Sequence, residues 1–266
     1  MPLAYYSRAA TQEFWSEHWA GHDVDGLLRI ARASPLTDLI EAALPRSGRV
    51  LEAGCGLGQY VILMRERGRA AAGADWSLDA LARCRAAAPG TPLAVMDLAR
   101  LAVKSGVLDA YVSLGVVEHD REGPDAIVAE AARVLSPGGR LLLSVPYWNG
   151  VRRLGAPYLR REAGALRASG GQFYQFAFSR REVRAFLEAH GFEVLSFHPY
   201  DPARIPRKVL RRILPARRPA PASAAPRAGD RAARRRGIEP ALRRLAYSAL
   251  SLQLFAHMIL AVARRL

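Results

Sequence analysis

Cysteine is nearly absent: Cys55 and Cys84 are the only two in 266 residues. A disulfide framework is therefore excluded as the organising device, and a reducing, cytoplasmic compartment is the expected setting. The first nineteen residues lack the basic-then-apolar pattern of a secretory signal. No internal repeat is visible. His, Cys, Asp and Glu form no spacing that reads as a metal-ligand cluster, so no metal is expected. The one long apolar run, Leu245–Ala263, is interrupted by Ser248, Ser251, Gln253 and His257, which argues against a membrane span. Acidic residues are scarce only locally. Residues 203–266 hold sixteen Arg/Lys against Asp230 and Glu239, whereas residues 1–202 hold twenty-three against twenty-two. The formal charge of +15 thus describes a late segment and not the body of the protein.

Half of the residues are hydrophobic, enough for one sizeable α/β domain. Residues 3–19 read as a short helical cap with Trp15 and Trp19 on one face. Ser34-Pro35 opens a helix over 34–44. From residue 49 onward, short apolar strands alternate with amphipathic helices. Strands are expected at 49–53, 69–74, 93–96, 108–114, 140–146 and 192–199. Helices are expected at 59–67, 77–88, 123–135 and 179–190. Residues 147–175 read as irregular. This alternation predicts a doubly wound, mainly parallel sheet with helices on both faces. Residues 205–214 (IPRKVLRRIL) suit a basic amphipathic helix, and Pro215–Gly237 has the composition of a disordered linker. Pro240 starts a further helix to about Leu252, and His257–Arg264 has strand chemistry.

The chemistry concentrates where the first sheet strand ends, in Glu52-Ala53-Gly54-Cys55-Gly56-Leu57-Gly58. Glycines here let the backbone turn tightly and approach a ligand. A dinucleotide fold uses a similar loop, but its third glycine falls one position later. A carboxylate such as Glu52 beside the turn suits an ammonium group and would repel a pyrophosphate. Asp75 ends the second strand, where a carboxylate accepts from ribose hydroxyls. Asp97 ends the third, where one accepts from an adenine amine. Trp76, Met96 and Leu98 flank those positions, and Trp76 and Leu98 suit the adenine faces. Together these groups match the parts of S-adenosyl-L-methionine. Cys55 reads as a small packing residue of the loop.

In RVLEAGCGLGQY, GADWS, MDLARLAVKSGVLDAYVSLGVVEH and VLSPGGRLLLSVP, taken in that order, the chain resembles the class I S-adenosylmethionine-dependent methyltransferases, notably their small-molecule group. The resemblance covers about residues 49–200. It implies a Rossmann-like, three-layer αβα fold with a seven-stranded sheet and an antiparallel final strand. It also implies methyl transfer with S-adenosyl-L-homocysteine as product. Asp75 would contact ribose, Asp97 and Leu98 the adenine, and the Leu114 backbone the methionine end. That family closes its sheet with an antiparallel hairpin, so HMILAVARR suggests an insertion before the last strand. The expected division is a helical cap at 1–48, the cofactor-binding core at 49–200, a basic insertion at 201–254 and the final strand at 255–266.

His119, in Glu118-His119 after the fourth strand, is a candidate general base. Tyr147, Trp148, Asn149 and Tyr174 are candidates for an aromatic acceptor wall. Tyr5, Tyr6, Trp15 and Trp19 suit either a lid or ordinary packing. The expected partner is a small-molecule acceptor of oxygen, nitrogen or carbon type. The basic insertion suits an anionic membrane surface. Nucleic acid is disfavoured because that segment lacks interleaved aromatics. The competing reading is a scaffold of this fold, weak in catalysis, recruited to a membrane or nucleic acid through that segment.

Overall fold

The computed structural model describes residues 2–202 and 246–266. Nine strands and ten α-helices are defined among them. In chain order they are β1 (Leu3–Ser7), α1 (Gln12–Ala20), α2 (Val24–Arg32), α3 (Pro35–Ala43), β2 (Arg49–Ala53), α4 (Gln59–Glu66), β3 (Ala70–Asp75), α5 (Leu78–Ala87) and β4 (Leu93–Val95). They continue with β5 (Leu108–Leu114), α6 (Asp125–Val134), β6 (Leu135–Pro146), α7 (Gly150–Leu154), α8 (Ala156–Ala168), β7 (Gln172–Ala177) and α9 (Arg180–Ala189). The last three are β8 (Phe192–Tyr200), α10 (Ala249–Phe255) and β9 (Met258–Arg265).

The main sheet has seven strands in the order β4-β3-β2-β5-β6-β9-β8. The ladders from β4 to β6 are parallel. β9 runs antiparallel to both neighbours, with Leu142 facing Val262 and Phe197 facing Ala261. The last strand in the sequence thus lies inside the sheet, between β6 and β8, and 57 residues separate Tyr200 from Met258.

A strand presents alternate residues to opposite faces, and both faces here are covered. Leu51, Tyr111, Leu141, Leu143, Ile259 and Ala261 pack on one side against α6 and α9, through Val128, Val134, Val183 and Leu187. Val50, Val112, Leu142, Leu260 and Val262 pack on the other against α3, α4 and α5, through Ile40, Val61, Met64 and Leu81. Burying each large apolar side chain contributes about 1.5–3 kcal/mol, so the two layers supply most of the stabilisation. Local signals agree. Ser34 accepts from the Leu36 N–H, and Ser179 with Glu182 makes a reciprocal capping box at the start of α9.

Two stretches differ from the sequence-based expectation. Residues 3–7 are a strand and not part of a helix; β1 pairs antiparallel with β7 as a separate two-stranded sheet. Aromatics on the two strands meet, Tyr6 edge-on to Phe173 at 6.3 Å, and helix begins only at the Thr11 cap. Residues 147–175 are ordered into α7, α8 and β7. α8 buries no residue, so it carries no apolar period from which a helix could be read. The expected helix at 205–214, the linker at 215–237 and the start of a helix at Pro240 lie outside the described residues. Within the run Leu245–Ala263, the described part divides into α10, capped by Ser248, and most of β9. Among the described residues no helix is long and apolar enough to cross a membrane.

Candidate active site

From β2 the chain winds outward through β3 to β4, then crosses to β5 on the other side. A crevice opens at such a switch point, beyond the carboxyl ends of the strands. A cavity of about 460 Å³ lies there, lined among others by Glu52, Gly54, Cys55, Asp75, Trp76 and Asp97. Met96, Leu98, Leu114 and His119 line it as well.

The glycine loop is fixed by its own backbone. The Gly54 and Cys55 N–H groups both donate to the Ala74 carbonyl, at 2.7 and 3.1 Å. Gly54 and Gly56 have φ of 80° and 52°. A Cβ at Gly54 would run into Val116, and one at Gly56 into the Trp19 ring. The loop therefore requires glycine at both positions for conformation and for space. Asp75 completes the turn. One carboxylate oxygen accepts from the Gly56 N–H at 2.8 Å, the other from the Ser77 N–H at 2.9 Å. Burial pushes the Asp75 pKa up against the pull of these bonds.

Glu52 is 2% exposed, and its Oε2 has no hydrogen-bond partner among the described residues. Burial raises its pKa to about 8, with the Asp75 charge adding to the effect and a Val61 backbone bond opposing it. A buried carboxylate oxygen left without a partner is costly, and an arriving ammonium would satisfy it. At the next strand end, Asp97 is exposed and accepts from the Ala99 N–H at 2.9 Å. It keeps acceptor capacity toward the cavity, beside Met96 and Leu98. The donor set therefore fits a cofactor with an ammonium at one end and a nucleoside at the other.

His119 closes the cavity on the far side of Leu114. Its Nδ1–H donates to the Tyr174 carbonyl at 2.8 Å, leaving Nε2 as the acceptor nitrogen. Burial lowers its pKa, so the ring is neutral near pH 7. Nε2 lies 3.9 Å from Glu118, whose own carboxyl is pushed to about 8 by complete burial. The Trp15 ring meets the His119 ring edge-on, with centroids 5.0 Å apart.

The expected acceptor wall is not assembled. Tyr147, Trp148 and Asn149 are buried and do not line the cavity. Tyr147 packs in the main core, and Trp148 packs with Leu3 and Ala177 beneath β1. Asn149 is a structural polar group: its amide donates to the Ala256 carbonyl at 2.8 Å, and its Oδ1 caps α7 through the Arg152 N–H. Tyr174 stands one layer behind the cavity, against His119 and Phe14. Tyr5 and Tyr6 belong to β1, whereas Trp15 and Trp19 line the cavity from α1. Reading the sequence missed Gln59, Tyr60, Val116 and Arg121, which also line it. Gln59 and Tyr60 form the first turn of the helix after the glycine loop, a place that could have marked them. Arg121 has no local signal.

Fold and site together define an α/β protein built to hold an adenosyl cofactor with an amino-acid end. Comparisons with known proteins agree. A family model described as a methyltransferase domain matches residues 51–143. The chain is 30% identical over 173 residues to the ubiquinone biosynthesis O-methyltransferase of Xanthomonas axonopodis pv. citri, covering 60% of this chain and 70% of that one. It is 36% identical over 97 residues to a probable S-adenosylmethionine-dependent methyltransferase of Mycolicibacterium smegmatis. That match covers 36% of this chain and spans only 37% of the relative. Among solved structures, an S-adenosylmethionine-dependent methyltransferase from Mesorhizobium loti superposes with a TM-score of 0.57 at 19% identity, covering 88% of this chain and all of that one. The chain belongs to the class I S-adenosylmethionine-dependent methyltransferases, whose cofactor is S-adenosyl-L-methionine.

Proposed function

We propose that the protein transfers a methyl group from S-adenosyl-L-methionine to an oxygen, nitrogen or carbon atom of a small-molecule acceptor. The observation that carries the reading is the buried Glu52 carboxyl, whose Oε2 has no hydrogen-bond partner among the described residues and which shares one cavity with Asp75 and Asp97. On this reading Glu52 takes the ammonium, Asp75 the ribose, and Asp97 with Leu98 the adenine edge. Ala53, Gly54, Cys55 and Gly56 form the floor of the site, and the Leu114 backbone lies at the methionine end. Trp76 and Met96 cover the base. Residues 49–200 and 255–266 act as one cofactor-binding unit, and 1–48 covers it.

When bound, the cofactor supplies a methyl group on a positively charged sulfur. The chain's part is to orient the acceptor in line with that group and keep water out; such positioning alone supplies a large share of the rate. His119 serves an acceptor that must lose a proton. It is neutral, its Nδ1–H is held by Tyr174, and Nε2 remains to accept. A methyltransferase domain and an O-methyltransferase relative support the reaction class; neither fixes the acceptor. For the basic segment, IPRKVLRRIL favours contact with an anionic membrane surface.

Calorimetric titration tests the cofactor. S-adenosyl-L-methionine and S-adenosyl-L-homocysteine should bind at micromolar levels and NAD should not. Glu52→Gln should weaken binding by about 10- to 100-fold, the loss of one charge-assisted hydrogen bond. NAD binding without adenosyl binding, by folded protein, would reject the proposal.

A further inference from the structure

The layer formed by α7 and α8 is unlike the rest of the surface. Residues 150–168 contain Arg152, Arg153, Arg160, Arg161 and Arg167 against the single acid Glu162. α8 buries nothing fully. Its inner side, Ala156 and Leu159, packs on the small cluster of Leu3, Trp148 and Ala177. Arg160 covers the Trp148 ring, and Arg152 is tied to the Tyr147 and His257 carbonyls. On the outer side, Leu154 at the end of α7 and Tyr158 in the first turn of α8 lie four residues apart across Gly155 and form a short apolar stripe. They are 84% and 66% exposed. α10 packs on α7, with Leu254 against Gly150; it carries exposed Leu250, and exposed Tyr247 lies just before it.

Large apolar side chains grouped on a surface and flanked by arginine mark an interaction site. We propose that this α7–α8–α10 face is a docking surface for an anionic lipid bilayer. Leu154, Tyr158 and Leu250 enter the headgroup–acyl boundary, and Arg153, Arg161 and Arg167 meet lipid phosphates. Charge complementarity selects the partner. The face carries a basic excess, and the strongly basic stretch of the sequence joins the described residues at Pro202, after β8, and at Ala246, just before α10. One apolar anchor binds membranes weakly, whereas an anchor combined with polybasic charge binds stably. Leucine with an amphipathic tyrosine suits a headgroup–acyl boundary, where such rings sit at the interface. This surface is independent of the cofactor site and goes beyond methyl transfer.

The test is co-sedimentation of the full chain with vesicles of phosphatidylcholine alone or mixed with phosphatidylglycerol. Binding is expected only with the anionic lipid. Leu154→Ser combined with Tyr158→Ser should weaken it about tenfold. Arg161→Glu with Arg167→Glu, which leaves the apolar stripe intact, should give a comparable loss and guards against a misfolded first variant. Unchanged binding in both variants, equal binding to both vesicles, or no vesicle binding would overturn the proposal. So would tight binding to RNA or an acidic protein with none to vesicles. Titration of the same samples with S-adenosyl-L-methionine separates the two readings. Cofactor binding without vesicle binding removes this inference alone, and vesicle binding without cofactor binding removes only the methyltransferase proposal.

Discussion

Glu52, a carboxyl held near pH 8 by burial, is largely protonated at neutral pH and must ionise to receive an ammonium. Cofactor binding at pH 7 should therefore release nearly one proton. Calorimetry in two buffers of different ionisation enthalpy reads this directly; identical heats in both would show that Glu52 is not the acceptor. Glu52→Gln should abolish the release along with most of the affinity. Asp75 is a poorer probe, because its two oxygens also hold the Gly56 and Ser77 N–H groups, so its loss loosens the loop itself. These residues were legible in the sequence because loop, acid and strand end are neighbours along the chain. Arg121 and Val116 were not, since only the packed fold brings their loop against the glycine turn. Tyr147, Trp148 and Asn149 were misread for a related reason. They follow a strand end, where ligands bind, but β1 and α10 cover them there.

At the scale of elements, Asn149 joins two segments more than a hundred residues apart, capping α7 and holding Ala256 just before β9. Asn149→Ala should cost about 1–3 kcal/mol of stability by leaving buried backbone groups without partners. Denaturant unfolding checks the size, and unchanged cofactor affinity checks that Asn149 has no part in the site. α1 is held differently. Its last turn and the residue after its Gly21 cap are gripped by Arg83, which donates to the Trp19 and His22 carbonyls. Its first turn is held by Gln12, which donates to the Trp76 carbonyl at 2.8 Å. Between these ties, Trp15 and Trp19 line the cavity. Arg83→Ala should free one end of this cover and speed cofactor release by about three- to tenfold, with little change in folding. Stopped-flow tryptophan fluorescence would measure it, and an unchanged release rate would show that α1 is a fixed wall. The wall was readable as an amphipathic aromatic helix. Its attachment was not, because Arg83 lies on α5 and looks in sequence like any solvated charge.

Over the whole molecule, the doubly wound sheet followed from alternation, and the placement of the final strand from the resemblance of HMILAVARR to the family's closing strand. The β1–β7 sheet did not, since it joins segments 165 residues or more apart without a shared local pattern. Of the buried carboxyls near the cavity, two are raised furthest. Glu52 and Glu118 both have folded pKa values raised to about 8 from an ordinary value of 4.5. This reverses the usual carboxylate case. Between those limits the folded state binds more protons than the unfolded chain, so stability falls as pH rises from about 4.5 to about 8. Below that window both states are protonated and the effect is flat. The ligand-free protein should therefore melt at a lower temperature at pH 8 than at pH 5.5. Glu118→Gln should shrink that difference by removing one of the two groups. Saturating S-adenosyl-L-homocysteine should shrink it further, because its ammonium favours ionised Glu52 and its binding stabilises only the folded state. A melting temperature that rises across the same interval would mean that the two carboxyls are hydrated in solution. The buried Glu52, with its unpartnered Oε2, would then no longer support an ammonium site.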